Sequence, residues 1–418
     1  MPDRRGAIET DVLVVGAGPG GSAAAYHLAR HGLDVTVLER ASFPREKVCG
    51  DGLTPRSVRA LLRMGVDTAD AGFVRVLGLR VYSRRTMIEL PWPRLRDFPD
   101  YGLVRTRADL DALLAGRARA AGARVLERTE AIAPILEDGW VRGVLARPAD
   151  ERDAEPRAVR ARMVLAADGA PSRLAAQAGV VRDERRPLGI AARRYYRIPR
   201  DPGPWFESWL DLREGEVVLP GYGWLFPLPD GTVNLGAGLL NTFRGFRDIS
   251  AQRLFAAFAS MLPSDWGVCE ETALGPVRSG PLPMGASRRP AAVPGMLVIG
   301  DAAGLVNPFN GEGIAYAMES AEVAAELTHE ALVRGRPAIA QRYPSVLRER
   351  YGAYFWYGTR FARAIGRPSV MRAATRYLLP NEPVMRFAMR VLANLTDGWK
   401  GDAQDRLIAA MQQLAPAS

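Results

Sequence analysis

The 418-residue chain holds only two cysteines, three histidines and, for all its basicity, two lysines. Cys49 and Cys269 are too few for a disulfide framework or a cysteine-rich metal site, and His27, His31 and His329 offer no ligand cluster. A small stapled module and a zinc protein are both excluded, and a reducing compartment, the cytoplasm, is the default. Long apolar runs are missing too. The longest uncharged stretch, 12–29, contains Gly16, Gly18, Pro19, Gly20 and Gly21, the pattern of a phosphate loop and not of a membrane span. Glu9 and Asp11 interrupt any signal-like apolar region.

What remains is an ordinary globular composition, 48% hydrophobic and 24% charged. At roughly 150 residues per domain the chain is long enough for two or three units and an enclosed pocket. The 56 Lys and Arg exceed the 46 Asp and Glu by 10, and this excess is local: residues 332–400 carry 13 basic side chains against Glu349, Glu382 and Asp397. Such a segment suits acidic phospholipid at the inner face of the cell membrane, an acidic protein, or a solvated helical surface. No nucleic-acid motif accompanies it, so that partner is set aside.

Hydrophobic periodicity places a short buried strand at 11–15, a helix at 20–30 and a second strand at 33–39, a βαβ unit in about thirty residues. Helical patterns follow at 55–64 and 107–121, strands across 124–147 and a buried strand at 163–167. From 187 to 240 the pattern turns to alternating strands, a β-sheet inserted into the nucleotide-binding unit, which resumes with a strand at 296–299 and a helix at 313–333. The resulting division has three nucleotide-binding segments, 1–75, 101–180 and 286–335. Substrate-domain segments lie at 76–100 and 181–285, and a helical region at 336–418.

Gly16-Ala17-Gly18-Pro19-Gly20-Gly21 lies between strand and helix, and Glu39 ends the next strand 23 positions after Gly16. The glycines, Gly16, Gly18 and Gly21 above all, permit a tight turn and let backbone amides approach a pyrophosphate at a helix N-terminus. Glu39 suits ribose hydroxyls, with Arg40 beside it. This fingerprint serves NAD and FAD alike. Asp301, in Val298-Ile299-Gly300-Asp301-Ala302-Ala303, suits a ribityl chain. Pro308-Phe309-Asn310-Gly311-Glu312-Gly313 then opens a long helix whose N-terminus favours an anionic ring, with Gly311 and Gly313 allowing close approach.

With Ala167-Asp168-Gly169-Ala170-Pro171-Ser172-Arg173 and Arg107-Ala108-Asp109-Leu110-Asp111, these elements resemble, in order, the FAD-dependent oxidoreductases of the para-hydroxybenzoate hydroxylase fold. The resemblance implies an α/β protein with a Rossmann-like FAD-binding domain, an inserted β-sheet substrate domain and C-terminal helices. It also implies FAD as cofactor, Arg107 touching it, and Asp168 at the crossing of the nucleotide regions, where the residue pattern alone equally suits a structural turn. Three further segments narrow it: Lys47-Val48-Cys49-Gly50-Asp51-Gly52-Leu53-Thr54-Pro55-Arg56, Pro220-Gly221-Tyr222-Gly223-Trp224-Leu225-Phe226-Pro227, and the Asn307–Ile314 run. These look like the geranylgeranyl reductase family, and within it are most similar to the actinobacterial menaquinone reductases. Where aromatic hydroxylases usually continue with an Asp-Ala-x-Asn-Leu type of run, this chain has Ala317-Met318-Glu319-Ser320-Ala321.

On a strand, Tyr222, Trp224 and Phe226 project from one face and Gly223 and Leu225 from the other, making either an apolar wall for a prenyl chain or plain core. The family places the cysteine corresponding to Cys49 near flavin and substrate, where a thiol can serve as proton donor, alkene support or small filler; Cys269, with no such motif around it, reads as structural. The implied reaction adds two electrons and two protons across a prenyl alkene. No second dinucleotide loop is present, so the electrons come from transiently bound NAD(P)H or a reduced protein partner. A flavin monooxygenase or halogenase is the alternative.

Overall fold

The computed structural model describes residues 8–416 apart from 84, 85, 216, 220 and 244. Pro220, the first residue of the aromatic segment, therefore lies outside the described residues. The strand Ile8–Val15 is apolar on both faces over Val12–Val15 because it sits at the centre of a parallel sheet. It pairs with Val35–Leu38 on one side (Val12 opposite Val35) and with Arg157–Ala166 on the other (Val12 opposite Met163). Arg124–Leu126 and Met296–Val298 extend the sheet outward in the same sense. The helices Pro19–Arg30 and Ile314–Val333 pack on one another and on this sheet, and the alanine-rich run Ala23-Ala24-Ala25 is fully buried.

A second sheet of seven strands runs Ala273–Pro283, Leu188–Tyr196, Val233–Leu240, Gly221–Pro227, Trp205–Trp209, Gly78–Ser83, Thr86–Pro91. It is antiparallel except where Trp205–Trp209 meets Gly78–Ser83. One face is covered by the helix Ala251–Ala259, whose Phe258 packs so close over Gly223 that a Cβ there would come within 2.3 Å of its ring. The other face looks toward the glycine-rich end of the parallel sheet and, near its far edge, carries the helix Glu382–Leu392 through Met385 and Met389.

This is the α/β architecture that the sequence leads one to expect. Several elements differ in extent. The buried strand read at 163–167 starts at Arg157, because its first half pairs antiparallel with Trp140–Pro148 and so alternates instead of being apolar throughout. The strand read at 33–39 shortens to Val35–Leu38, and Glu39 is free to turn its carboxylate inward. No helix among the described residues is long and apolar enough to cross a membrane.

Candidate active site

Gly16 adopts φ +96°, and a Cβ there would lie 2.5 Å from the Ala167 carbonyl; one on Gly21 would lie 1.7 Å from the Gly16 carbonyl. The strand-to-helix turn thus closes only with hydrogen at both positions. Gly18 caps the helix without a side-chain acceptor, and its outer side faces the guanidinium groups of Arg45 and Arg107, 3.7 and 3.9 Å from where its Cβ would be. Free helix amides and two cations converge on one point, an anion site of pyrophosphate character. Both cations are fixed by one buried carboxylate: Asp111 takes a forked pair of hydrogen bonds from Arg107 at 2.8 Å and pairs with Arg45 at 2.9 Å. Burial works against the charge on Arg107, and Asp111 more than offsets it.

Glu39 is buried and accepts from the Ala17 amide (3.0 Å), the Ala41 amide (3.1 Å) and Arg45 (3.3 Å). It therefore ties the glycine turn to the next strand as well as facing the cavity. Arg40 is exposed at the rim. Across the turn, Asp168 accepts from the Leu174 amide through Oδ2, while its buried Oδ1 has no hydrogen-bond partner among the described residues. Burial pushes its pKa up. Asp301 lies on the short turn Gly300–Ala303 with Oδ1 3.1 Å from the Cβ position of Gly313, and Gly311 and Gly313 line the same cavity.

These residues fit FAD. An anion cradle, a carboxylate at the end of the second strand, an orphaned buried acceptor and a second carboxylate before a helix N-terminus supply donors and acceptors for pyrophosphate, ribose and ribityl groups. Gly16, Gly18, Gly21, Glu39, Arg40, Arg107, Asp168, Asp301, Gly311 and Gly313 all border one cavity of about 1000 Å³, except Gly21, which sits behind the turn.

The cavity has a second arm. Tyr222, Trp224 and Phe226 line it from one face of their strand, Gly223 and Leu225 pointing the opposite way. The aromatic stripe is wall and core at once: Trp224 is 5% exposed and its ring packs over Gly236 and Gly50, and the Phe226 ring meets that of Phe206 at 4.4 Å, tilted by 47°. Tyr222 donates to the Asn310 carbonyl at 2.8 Å, joining this strand to the Gly311 turn. Opposite stand Phe361, Ile365, Met371, Leu379, Met385, Ala388 and Leu392 from the C-terminal helices. Among the described residues, every charged residue bordering the cavity belongs to its nucleotide arm or to the neighbouring mouth at Arg193 and Arg278; the C-terminal helices contribute none.

Cys49 stands where the arms meet. Its Sγ accepts from the Asp51 amide at 3.3 Å, and the Arg107 guanidinium lies beside it. Burial raises the thiol pKa, opposed first by Arg107, so the group stays protonated at neutral pH. Cys269, read as structural, lies exposed in a turn beside Thr272.

Two site residues were not singled out from sequence. Asp51 is fully buried with φ +64° and accepts from the Arg107 amide (3.0 Å), Tyr195 (2.7 Å) and Asn234 (2.7 Å); Asn234 also holds the Cys49 carbonyl and the Trp224 indole. A non-glycine residue in the left-handed region costs energy, and here three hydrogen bonds hold it. Its place between Gly50 and Gly52 was the available signal. Lys47, one of the two lysines, lies half-buried at the cavity near Asp301, its pKa lowered by burial.

Burial pushes the Asp51 carboxyl up to about 6, against the hydrogen bonds from Tyr195 and Asn234. Its unfolded value is about 4, so the folded state binds the proton more tightly, and the stability it contributes is full below pH ~4 and is lost as pH rises through about 6. Between those limits the wild type is expected to lose on the order of 3 kcal/mol more than Asp51→Asn. Urea denaturation of both across that range checks this, and parallel profiles contradict it.

Residues 9–217 match the family described as FAD binding domain. The chain is 37% identical over 404 residues to the menaquinone reductase of Mycobacterium tuberculosis, covering 94% of this chain and 95% of that protein. It is 32% identical over 348 residues to the digeranylgeranylglycerophospholipid reductase of Thermoplasma acidophilum, covering 82% and 84%. The crystal structure of a geranylgeranyl bacteriochlorophyll reductase-like protein from Thermoplasma acidophilum superposes with a TM-score of 0.78 at 25% identity, covering 97% of this chain and all of that one. Family match, full-length relatives and the two-armed cavity agree, and the chain belongs to the geranylgeranyl reductase family of FAD-dependent oxidoreductases.

Proposed function

We propose that this chain saturates one C=C bond of a polyprenyl chain, an isoprene unit of menaquinone or of a geranylgeranyl lipid, at the cytoplasmic face of the membrane. The observation that carries the reading is the cavity itself, charged where a nucleotide would lie and apolar where the C-terminal helices close it. A prenyl tail has almost no polar handle, so its binding comes from buried area, roughly 25 cal/mol per Å². The relatives named above as menaquinone and geranylgeranyl lipid reductases support the same substrate class.

FAD, held by the residues named above, supplies the electron pair when bound; NAD(P)H or a reduced protein partner delivers it. Saturation adds two electrons and two protons: one proton travels with the electron pair as hydride, the other comes from a positioned acid that water then reprotonates, and the chain's own residues govern the rest. Tyr222, Trp224 and Phe226 hold the alkene flat and exclude water, which matters because an unactivated C=C bond reacts only when closely positioned. Cys49, kept protonated by burial, donates a proton at the junction. Asp51, Asn234 and Tyr195 fix the loop that presents it.

Under anaerobic conditions, with dithionite or NAD(P)H as electron source, the product is expected to be two hydrogens heavier than the substrate by mass spectrometry. A product that gains oxygen or halogen, formed only with O₂, would replace this reading with a monooxygenase or halogenase. Cys49→Ala is expected to stay yellow but to reduce the alkene roughly 100-fold more slowly, the usual contribution of a positioned acid. Unchanged turnover would make the thiol a packing residue.

A further inference from the structure

The basic surplus of the C-terminal third is not spread evenly. Arg334, Arg386 and Arg390 are neutralised by Glu330, Glu382 and the Asp402/Asp405 pair. Arg367, Arg372 and Arg376 are exposed and have no ion-pair partner among the described residues. Arg367 caps the helix Pro368–Ala373, Arg372 lies within it, and Arg376 lies in the π-helical turn Ala374–Leu378 that continues it. The stretch 367–384 exposes four large apolar side chains, Val370 (36%), Tyr377 (66%), Leu378 (50%) and Val384 (37%). Val370, Ala374 and Tyr377/Leu378 recur at helical spacing, and Arg376 lies 5.4 Å from the Tyr377 ring.

The stretch also borders the apolar arm. Met371, Ala374, Thr375, Leu378 and Leu379 line the cavity, and Leu378 is at once half-exposed and part of its wall. Unpaired cations around exposed apolar side chains are the pattern of a helix lying in a bilayer interface, not of one crossing it. Between Arg350 and Thr396 the only acidic residue is Glu382, already paired, so nothing there repels an anionic surface.

We infer that the face 367–384 docks on an anionic phospholipid bilayer and is the threshold across which the prenyl tail slides from membrane to cavity. Its use as a substrate threshold rests on the proposed function; its docking does not. The bilayer takes the arginines at its headgroups and Val370, Tyr377 and Leu378 just beneath them. A tail entering there never crosses water, which its apolar length would otherwise oppose.

The test is co-sedimentation of the holoprotein with substrate-free vesicles of phosphatidylcholine, with and without phosphatidylglycerol. Binding is expected to the anionic vesicles only and to weaken with salt. Arg367→Glu/Arg372→Glu/Arg376→Glu should bind at least tenfold more weakly while keeping its FAD and its turnover of detergent-dispersed substrate; Tyr377→Ser should weaken binding to a lesser degree. A control reversing Arg336, Arg348 and Arg350 should bind as the wild type does. Absence of wild-type binding, an unaffected triple variant, or an equal loss in the control would overturn the assignment. Vesicle binding without alkene reduction would sink the proposed function and leave this face standing.

Discussion

Gly21→Val is expected to give a colourless protein. The Gly21 Cβ position lies 1.7 Å from the Gly16 carbonyl oxygen and 3.3 Å from the Ala167 Cβ, so any side chain must push the helix start away from the strand end. The displaced amides around Gly18 then no longer face the point that Arg45 and Arg107 share. The loss of FAD affinity should be at least about 100-fold, about 3 kcal/mol. Flavin absorbance after purification and a thermal-shift titration with FAD measure it. Gly116→Ala is the matched control: a Cβ there meets nothing within 4 Å and the residue is mid-helix, so it should hold FAD normally and be stabilised by up to about 1 kcal/mol.

The second large effect concerns the other arm. Ala388 lines the cavity from the helix Glu382–Leu392, among Met385, Leu379 and Leu392. A tryptophan there occupies the space of roughly one isoprene unit. Burial of five carbons contributes about 4 kcal/mol at about 0.8 kcal/mol per carbon. Ala388→Trp is therefore expected to lower kcat/KM for a long prenyl substrate by at least about 100-fold. FAD binding, made in the opposite arm, should not change, and a short prenyl substrate that does not reach Ala388 should lose far less. Equal losses for both lengths, or none, would show that the tail does not occupy this arm.

The nucleotide arm was the more legible half in sequence. Its determinants are local: a strand, a glycine turn and a helix within thirty residues, and a carboxylate one strand later. What the spacing of Glu39 did not reveal is that its carboxylate, besides its local bond from the Ala41 amide, takes the Ala17 amide of the glycine turn, because strand pairing and not sequence brings those two together. The alternation of Tyr222, Trp224 and Phe226 placed three rings on one face. It did not decide between wall and core, since that depends on Gly236, opposite on the next strand, and Gly50, far away along the chain, leaving room for the Trp224 ring.

The buried polar pairs were the least legible. Arg56 and Glu319 are 263 positions apart in two segments noted separately, yet Arg56 grips Glu319 at 2.9 and 3.1 Å with Arg59 and Tyr351 completing the cluster. The glutamate that departs from the hydroxylase run is thus the anchor between the helix Pro55–Arg63 and the long helix Ile314–Val333. Asp51 was hidden for a similar reason. Its three donors come from residues 107, 195 and 234, and only the fold assembles them. The C-terminal helices read as a basic surface; that their inner side closes an apolar arm follows from packing on the second sheet, which no local pattern encodes.

The most direct test is where hydrogen arrives. The reduced holoprotein is mixed anaerobically in D₂O with menaquinone bearing an unsaturated tail, and the product's deuterium is located by fragmentation. The account predicts one deuterium on each of two adjacent carbons of a single isoprene unit, with the ring skeleton unlabelled. A tail that returns without carbon-bound deuterium, while the flavin has been reoxidised, would contradict it.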